Sequence, residues 1–170
     1  YCSPNDDNGY DISDYRKISE EFGRNRAFDI LLKEMHKRDL KLIMDLVANH
    51  SSDEHRWFEE SKKGENNPYH DYYFWKKGKK EILPNNWLSV FSGSVWEWDS
   101  NLNKYYLHSV TKKQPDLNWE NPKVRDEIYD VLNFWFSKGV DGFRMDVISF
   151  ISKRLDFSPA KEGATLSEMM

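Results

Sequence analysis

The chain has 170 residues, a formal charge of -4 and 15% aromatic residues, with 7 Trp, 9 Tyr and 10 Phe. That length suits one or two ordinary domains, and the acidic balance excludes the basic footprint of a nucleic-acid binder. A single cysteine, Cys2, excludes an internal disulfide framework, and no apolar run approaches the roughly 18 residues of a membrane span.

Residues 1–23 are rich in turn formers, and Ser3-Pro4-Asn5-Asp6-Asp7-Asn8-Gly9 reads as a loop. Asn25 is placed to cap a helix running to Lys37, with Phe28, Leu31, Leu32 and Met35 on one face. Lys37 and Arg38 in its last turn suit the helix dipole. Residues 40–47 then read as a buried strand ending near Asn49 and His50. A helix and a strand joined by a short connection belong to the grammar of a parallel α/β sheet.

That grammar is interrupted. Ser51-Ser52-Asp53-Glu54 resembles a capping box opening a short helix through Ser61. Residues 62–86 read as polar loop, including a solvated charge run from Lys76 to Lys80 and excepting the aromatic patch at 71–75. Residues 95–99 and 104–108 read as a hairpin joined by Ser100-Asn101-Leu102-Asn103. Of the aromatics here, Trp57, Tyr72, Tyr73, Trp75, Trp87, Trp96 and Trp98, most are expected in the core of the insertion.

The α/β grammar resumes at Asn121-Pro122, an N-cap followed by proline at the first helical position. Val124, Ile128, Val131, Leu132 and Trp135 form its apolar stripe, and Gly139 stops it. Residues 140–147 are expected to form the next strand. The tail after Lys153 has no strong periodicity. The division into domains is therefore 1–51 and 119–170 as parts of one α/β layer, with 52–118 as a small inserted α+β unit.

Alternation along that last strand sends Arg144 and Asp146 to one face, and Phe143, Met145 and Val147 to the other. An arginine and a carboxylate side by side are costly to bury without a purpose. The guanidinium favours the ionised carboxylate, as a carboxylate nucleophile requires. A buried structural ion pair is the alternative. Asp45 ends the preceding strand in the same way, and in parallel α/β folds ligands sit at the carboxyl ends of strands. His50 and His55 lack the spacing of a zinc pair, and Asp6-Asp7-Asn8-Gly9 lacks the alternation of an EF-hand loop, so no metal site is assigned.

Four segments carry a family resemblance. Asp45-Leu46-Val47-Ala48-Asn49-His50 resembles the first conserved region of the α-amylase superfamily, glycoside hydrolase family 13. The segment Gly142 to Ile148 is similar to its second region. Gln114-Pro115-Asp116-Leu117-Asn118 resembles the region that closes the superfamily's domain B, and Asp7-Asn8-Gly9-Tyr10-Asp11 the loop after its second barrel strand. Their order and spacing resemble most the oligo-1,6-glucosidases and their α-glucosidase relatives, and the likeness runs from Tyr1 to about Lys153.

The resemblance implies a partial (β/α)8 TIM barrel with domain B inserted after its third strand. It implies Asp146 as the nucleophile and Arg144 as its orienting partner. Asp7, Tyr10 and His50 match groups that grip the terminal glucose, and Asp45 and Asn49 match structural positions near the site. Val147 follows the nucleophile where valine accompanies α-1,6 linkages in such relatives and threonine α-1,4; the bottom-up alternative is a packed strand residue. The implied activity is retaining, exo-acting hydrolysis of isomaltose and short α-glucans. An α-1,4-glucosidase, a dextran glucosidase or a trehalose-6-phosphate hydrolase are alternatives, and the intact Arg144/Asp146 pair speaks against a non-catalytic amino-acid-transporter heavy chain. No cofactor is expected, with a structural calcium or magnesium ion allowed for in the full-length enzyme. The superfamily's acid, a glutamate on the next strand, has no match here, since Glu162 and Glu168 lack strand context. The expected partners are the oligosaccharide substrate and the remainder of the barrel, with neither nucleic acid nor membrane. A cytoplasmic location is expected, with secretion left open by a chain that begins at Tyr1 rather than Met.

Overall fold

The computed structural model describes residues 1–162 and 164. A loop and a 3-10 turn at Glu20–Phe22 lead into helix α1, Arg24–His36, and then strand β1, Ile43–Val47. Helix α2, Arg56–Ser61, opens the insertion, which holds strands β2, Trp75–Lys77, β3, Trp96–Asp99, and β4, Lys104–Leu107. Helix α3, Pro122–Lys138, and strand β5, Gly142–Asp146, follow, and a 3-10 turn at Ile148–Phe150 comes directly after them. Among the described residues β1 and β5 form a two-stranded parallel sheet, and the insertion forms a three-stranded antiparallel sheet in the order β2-β4-β3. The pattern is a partial α/β fold of the kind expected, with the two parallel strands adjacent although about 100 residues apart in sequence.

Helix α3 forms where its signals place it. Asn121 Oδ1 accepts from the Lys123 amide at 3.0 Å, Pro122 is the first helical residue, and Gly139 takes the left-handed cap at φ 102. Val124, Ile128, Val131 and Trp135 are buried, while Leu132 is half-buried. Trp135 meets Phe28 of α1 at 5.0 Å between ring centroids, and its indole N–H donates to the Tyr15 carbonyl at 2.8 Å.

Helix α1 ends where expected, with Lys37 as its C-cap, but differs at its start and on its face. It starts from Gly23, at φ 89, without a side-chain cap. Asn25 lies inside the first turn, where its side chain accepts from the Ile18 amide and donates to the Arg16 carbonyl. Loop backbone groups would otherwise lack partners, and satisfying them outweighs the cap. Phe28 and Leu32 are buried, but Leu31 faces outward.

Both parallel strands are shorter than expected. Asp39 takes left-handed backbone at φ 55, a conformation aspartate tolerates at some cost. The Asp141 carboxylate then binds the Leu42 amide at 2.9 Å, His36 at 2.8 Å and Lys41 at 3.1 Å, which staples both strand entrances together before the ladder begins. At the far end Val147 leaves the strand at φ 37, so it does not alternate with Phe143 and Met145.

In the insertion, the expected capping box at residues 51–54 is replaced by a cap from His55, whose Nδ1 accepts from the Trp57 amide at 3.0 Å. Ser52 Oγ instead accepts from the Glu54 amide, closing a turn. The hairpin forms as expected, and a third strand, β2, joins its β4 edge. Part of the expected solvated run therefore belongs to the sheet. Lys76 lies over the Phe157 ring at 4.3 Å, and Lys77 pairs with Glu65 at 3.0 Å.

Two apolar clusters hold the molecule. One unites Leu46, Val47, Val124 and Trp135 with Trp57, Tyr73 and Leu117. The other joins Phe74, Trp87, Val95, Trp96, Tyr105 and Leu107 beneath Phe157. The aromatic residues of the insertion are mostly core, as their number implies.

Candidate active site

The parallel register sets Asp45 opposite Arg144 and Val47 opposite Asp146. Side chains at paired positions of a parallel ladder share a face, so the polar residues of both strands meet. Arg144 Nη1 donates to Asp45 Oδ1 at 3.0 Å and Oδ2 at 2.7 Å, and to Asp146 Oδ1 at 2.6 Å. One guanidinium nitrogen thus bridges two carboxylates from neighbouring strands. The expected costly burial is not observed for the arginine. Its side chain is 56% exposed, against 39% for Asp45 and 14% for Asp146. The two carboxylates, Asp45 first, hold the guanidinium pKa above its ordinary value.

Tyr10 completes this face. Its hydroxyl donates to Asp45 Oδ2 at 3.3 Å, and it lines a cavity of about 360 Å³ with Tyr1, Gly9, Met44, Asp45 and Val47. The loop carrying Tyr10 and Asp7 is shaped by Asp11, which is fully buried. Asp11 accepts from the Asp6 amide at 2.9 Å, the Asp7 amide at 3.1 Å and the Ser3 hydroxyl at 2.8 Å. Gly9 stands at φ 91, a conformation that costs glycine nothing.

His50 sits beneath that loop, 2% exposed. Its Nε2 is 3.2 Å from the Tyr10 carbonyl oxygen and 3.1 Å from Gln114 Nε2, and its Nδ1 is 3.1 Å from Asn49 Nδ2. Burial lowers the imidazole pKa, with the nearby Asp116 charge opposing the shift. The ring is therefore neutral at neutral pH. Gln114 Nε2 also donates to Asp7 Oδ2 at 3.0 Å, tying Asp7 to the His50 cluster. Tyr15 holds the strand exit from behind, donating to the carbonyls of Val47 at 3.0 Å and His50 at 2.7 Å.

Behind His50 lies a closed polar knot. Asn49 Nδ2 donates to Asp116 Oδ1 at 3.2 Å, and the Ser109 amide donates to the same oxygen at 3.0 Å. The Ser109 hydroxyl donates to Asp116 Oδ2. Lys153 Nζ lies 3.0 Å from Asp116 Oδ2 and 2.8 Å from Asn49 Oδ1, and also donates to the Phe150 carbonyl. Both members of the ion pair have side chains at 0% exposure. Burial lowers the Lys153 pKa and the Asp116 charge opposes it.

All eight residues singled out from the sequence lie on or beside these strand ends. Asp45, Arg144, Asp146 and Tyr10 share one face; Asp7, Asn49 and His50 are linked through Gln114 and Asp116; Val147 is the first residue past β5. Sequence reasoning missed Asp11, Tyr15, Gln114, Asp116 and Lys153 as site-building groups. Gln114 and Asp116 stood in a recognised segment, which was a usable signal. Nothing local to Lys153 marks it as buried. The acidic turn at Asp6 approaches Asp53 and Glu54, and Lys113 answers that charge at 3.3 Å from Asp53 and 3.8 Å from Asp6.

A larger hollow of about 660 Å³ lies between α1 and the end of α3, lined by Asp29, Leu32, Lys33, His36, Lys37 and Lys138. It adjoins the strand entrances near Asp141 and is remote from the polar strand ends.

A family model described as the alpha amylase catalytic domain matches residues 1–168. An oligo-1,6-glucosidase of Parageobacillus thermoglucosidasius is 65% identical over 153 residues, covering 90% of this chain and 27% of the relative. One from Heyndrickxia coagulans is 63% identical over 158 residues, covering 92% and 28% respectively. Among solved structures, a trehalose-6-phosphate hydrolase of Bacillus licheniformis superposes with a TM-score of 0.93 at 53% identity, covering 96% of this chain and 30% of that one. An isomaltulose synthase of Erwinia rhapontici gives a TM-score of 0.92 at 54% identity, covering 95% and 29%. The chain spans between a quarter and a third of the length of these relatives.

Proposed function

Because the chain belongs to the alpha-amylase catalytic-domain family, we propose that it is part of a retaining, exo-acting α-glucosidase that prefers α-1,6 bonds of isomaltose-type oligosaccharides. The observation that carries this reading is the Arg144 bridge between Asp45 and Asp146 at adjacent parallel strand ends. It presents one carboxylate oxygen of Asp146 to the guanidinium and leaves the other for chemistry.

Asp146 attacks the anomeric carbon of the terminal glucose, forming a covalent glucosyl-enzyme. A glutamate that the superfamily carries on the following barrel strand protonates the departing oxygen. The same glutamate then takes a proton from water, whose oxygen displaces Asp146 and releases glucose with retained configuration. Arg144 keeps Asp146 ionised and fixed in orientation. Asp7 and His50 hydrogen-bond the sugar, and the Tyr10 ring offers it an apolar face. These groups close around a terminal residue, which suits exo action. Val147 offers no hydroxyl beside the nucleophile and biases the site toward α-1,6 linkages. Remaining strands of the same enzyme complete the barrel, and the reading places the enzyme in the cytoplasm. No described helix is long and apolar enough to cross a membrane.

The test is hydrolysis of isomaltose and maltose by the full-length enzyme. Faster isomaltose cleavage is expected; equal rates or faster maltose cleavage would sink the linkage assignment. The neighbouring trehalose-6-phosphate hydrolase structure makes phosphorylated trehalose the control substrate.

A further inference from the structure

The hydrogen bonds around His50 do not all fit one protonation state. Asn49 Nδ2 faces Nδ1 at 3.1 Å and, as a donor, requires Nδ1 to be an acceptor. The Tyr10 carbonyl faces Nε2 at 3.2 Å and requires a proton there. Gln114 Nε2 also faces Nε2, at 3.1 Å, and as a donor would require the opposite. A neutral ring carries one proton, so one of these contacts must yield.

The orientation of Asn49 decides the matter, and two charges set it. The Lys153 ammonium has three protons and three acceptors: Asp116 Oδ2 at 3.0 Å, Asn49 Oδ1 at 2.8 Å and the Phe150 carbonyl. It can only donate, so the Asn49 oxygen must point at it. The Asp116 carboxylate can only accept, so the Asn49 nitrogen must point at it, at 3.2 Å. That leaves the second Asn49 N–H for His50 Nδ1. A flipped Asn49 would set its oxygen against a buried carboxylate and its N–H₂ against a buried ammonium. The Gln114 amide is satisfied without His50, since its nitrogen donates to Asp7 Oδ2 at 3.0 Å and its oxygen accepts from the Thr111 hydroxyl at 2.9 Å, so its contact with Nε2 is the one that yields.

We propose that Lys153 is a positioning residue that acts through Asn49 to hold the His50 proton on Nε2. That nitrogen faces the Tyr10 loop, so His50 is presented as a hydrogen-bond donor on that side. Lys153 follows the nucleophile strand by seven residues and Asp116 closes the insertion, so the tautomer is set only when both segments are docked. The tautomer assignment stands on the hydrogen-bond network alone; its benefit to turnover rests on the reading of His50 as a sugar-binding group.

The experiment uses the full-length enzyme labelled with ring-15N histidine, with the His50 signals identified by their loss in His50→Gln. The wild type should show a protonated Nε2. Lys153→Met should move the proton to Nδ1, wholly or in part, and lower kcat/KM on isomaltose by about 10–100-fold. Asn49→Asp, which can only accept, should force a proton onto Nδ1 and serves if Lys153→Met does not fold. A wild-type proton on Nδ1 overturns the proposal, as does an unchanged Nε2 proton in either folded variant, whatever its activity. A moved proton with kcat/KM within twofold of wild type would leave the relay standing and remove His50 from the sugar-binding set.

Discussion

The two sheets of this molecule use charge in opposite ways. The parallel pair β1/β5 carries Asp45, Arg144 and Asp146 on an accessible face, with one guanidinium shared between two acids. The antiparallel sheet buries one of its charges. Lys104 of β4 is 7% exposed and meets His70 Nε2 at 2.9 Å and Glu65 at 2.7 Å. There the lysine satisfies local groups and leaves no reactive carboxylate pointing into open space. On the proposed reading, groups around the first sheet are positioned for a ligand, whereas those around the second complete the packing of an aromatic core. Lys153 stands between these cases, buried like Lys104 yet bonded to a residue beside the site.

The largest test of the contrast is chemical. On the proposed mechanism Asp146→Asn keeps shape and hydrogen bonding but removes the attacking oxyanion, and kcat should fall by at least about 10⁴-fold with KM little changed. Steady-state kinetics of the full-length enzyme checks this, and retained turnover would remove Asp146 as nucleophile. Next in size is Asp116→Ala, which leaves the Lys153 ammonium buried and uncompensated. A loss of about 3–5 kcal/mol in unfolding free energy is expected. A denaturant midpoint that hardly moves would show that the knot at the seam is not structural.

The third expected effect depends on pH. Burial lowers the His55 pKa to about 4 from its ordinary value. The unfolded chain therefore takes up a proton near pH 6.5 while the folded one refuses it until about pH 4. His55 thus contributes stability fully above the unfolded value and loses it as pH falls through that window, by about 3 kcal/mol in all. His55→Asn retains an acceptor for the α2 cap. Thermal melts from pH 7 to 4.5 should then show a shallower decline than wild type, and parallel curves would refute the assignment.

Val147→Thr adds a hydroxyl beside the nucleophile and should shift the isomaltose-to-maltose ratio by about 1–3 kcal/mol, or 10–200-fold. An unchanged ratio would reduce Val147 to a backbone role. The smallest effect is expected from Glu65→Gln in the insertion. Glu65 pairs with Lys104 and Lys77, which hold its carboxyl at about 2, but its side chain is 56% exposed. The change should hardly move the denaturant midpoint, because solvent screens the pair, so a loss as large as that of Asp116→Ala would erase the distinction between the two regions.

The helices and their signals were largely legible. Asn121, Pro122 and Gly139 delimit α3 as their chemistry demands, because caps act on backbone groups only a few residues away. Asn25 and Ser52 misled for the same reason. Each offers a cap, but backbone donors of a neighbouring loop or turn took the side chain first. Strand β2 was missed because three residues with a polar pair carry no alternation to read. Sequence placed Arg144 and Asp146 on one face, but Asp45 as a second recipient of the guanidinium depended on β1 lying beside β5 in register.

Sequence alone determined which family the chain belongs to and placed a carboxylate two residues from an arginine on a short strand. Those are local facts, set by the period of a strand and the identity of side chains. Only the tertiary structure decided how the groups are held. Lys153 and Asp116 are 37 positions apart, and Asn49 lies further still from both. Their partnership exists because two chain segments exclude water from the same small volume, where an unpaired charge or a misdirected amide is too costly to persist.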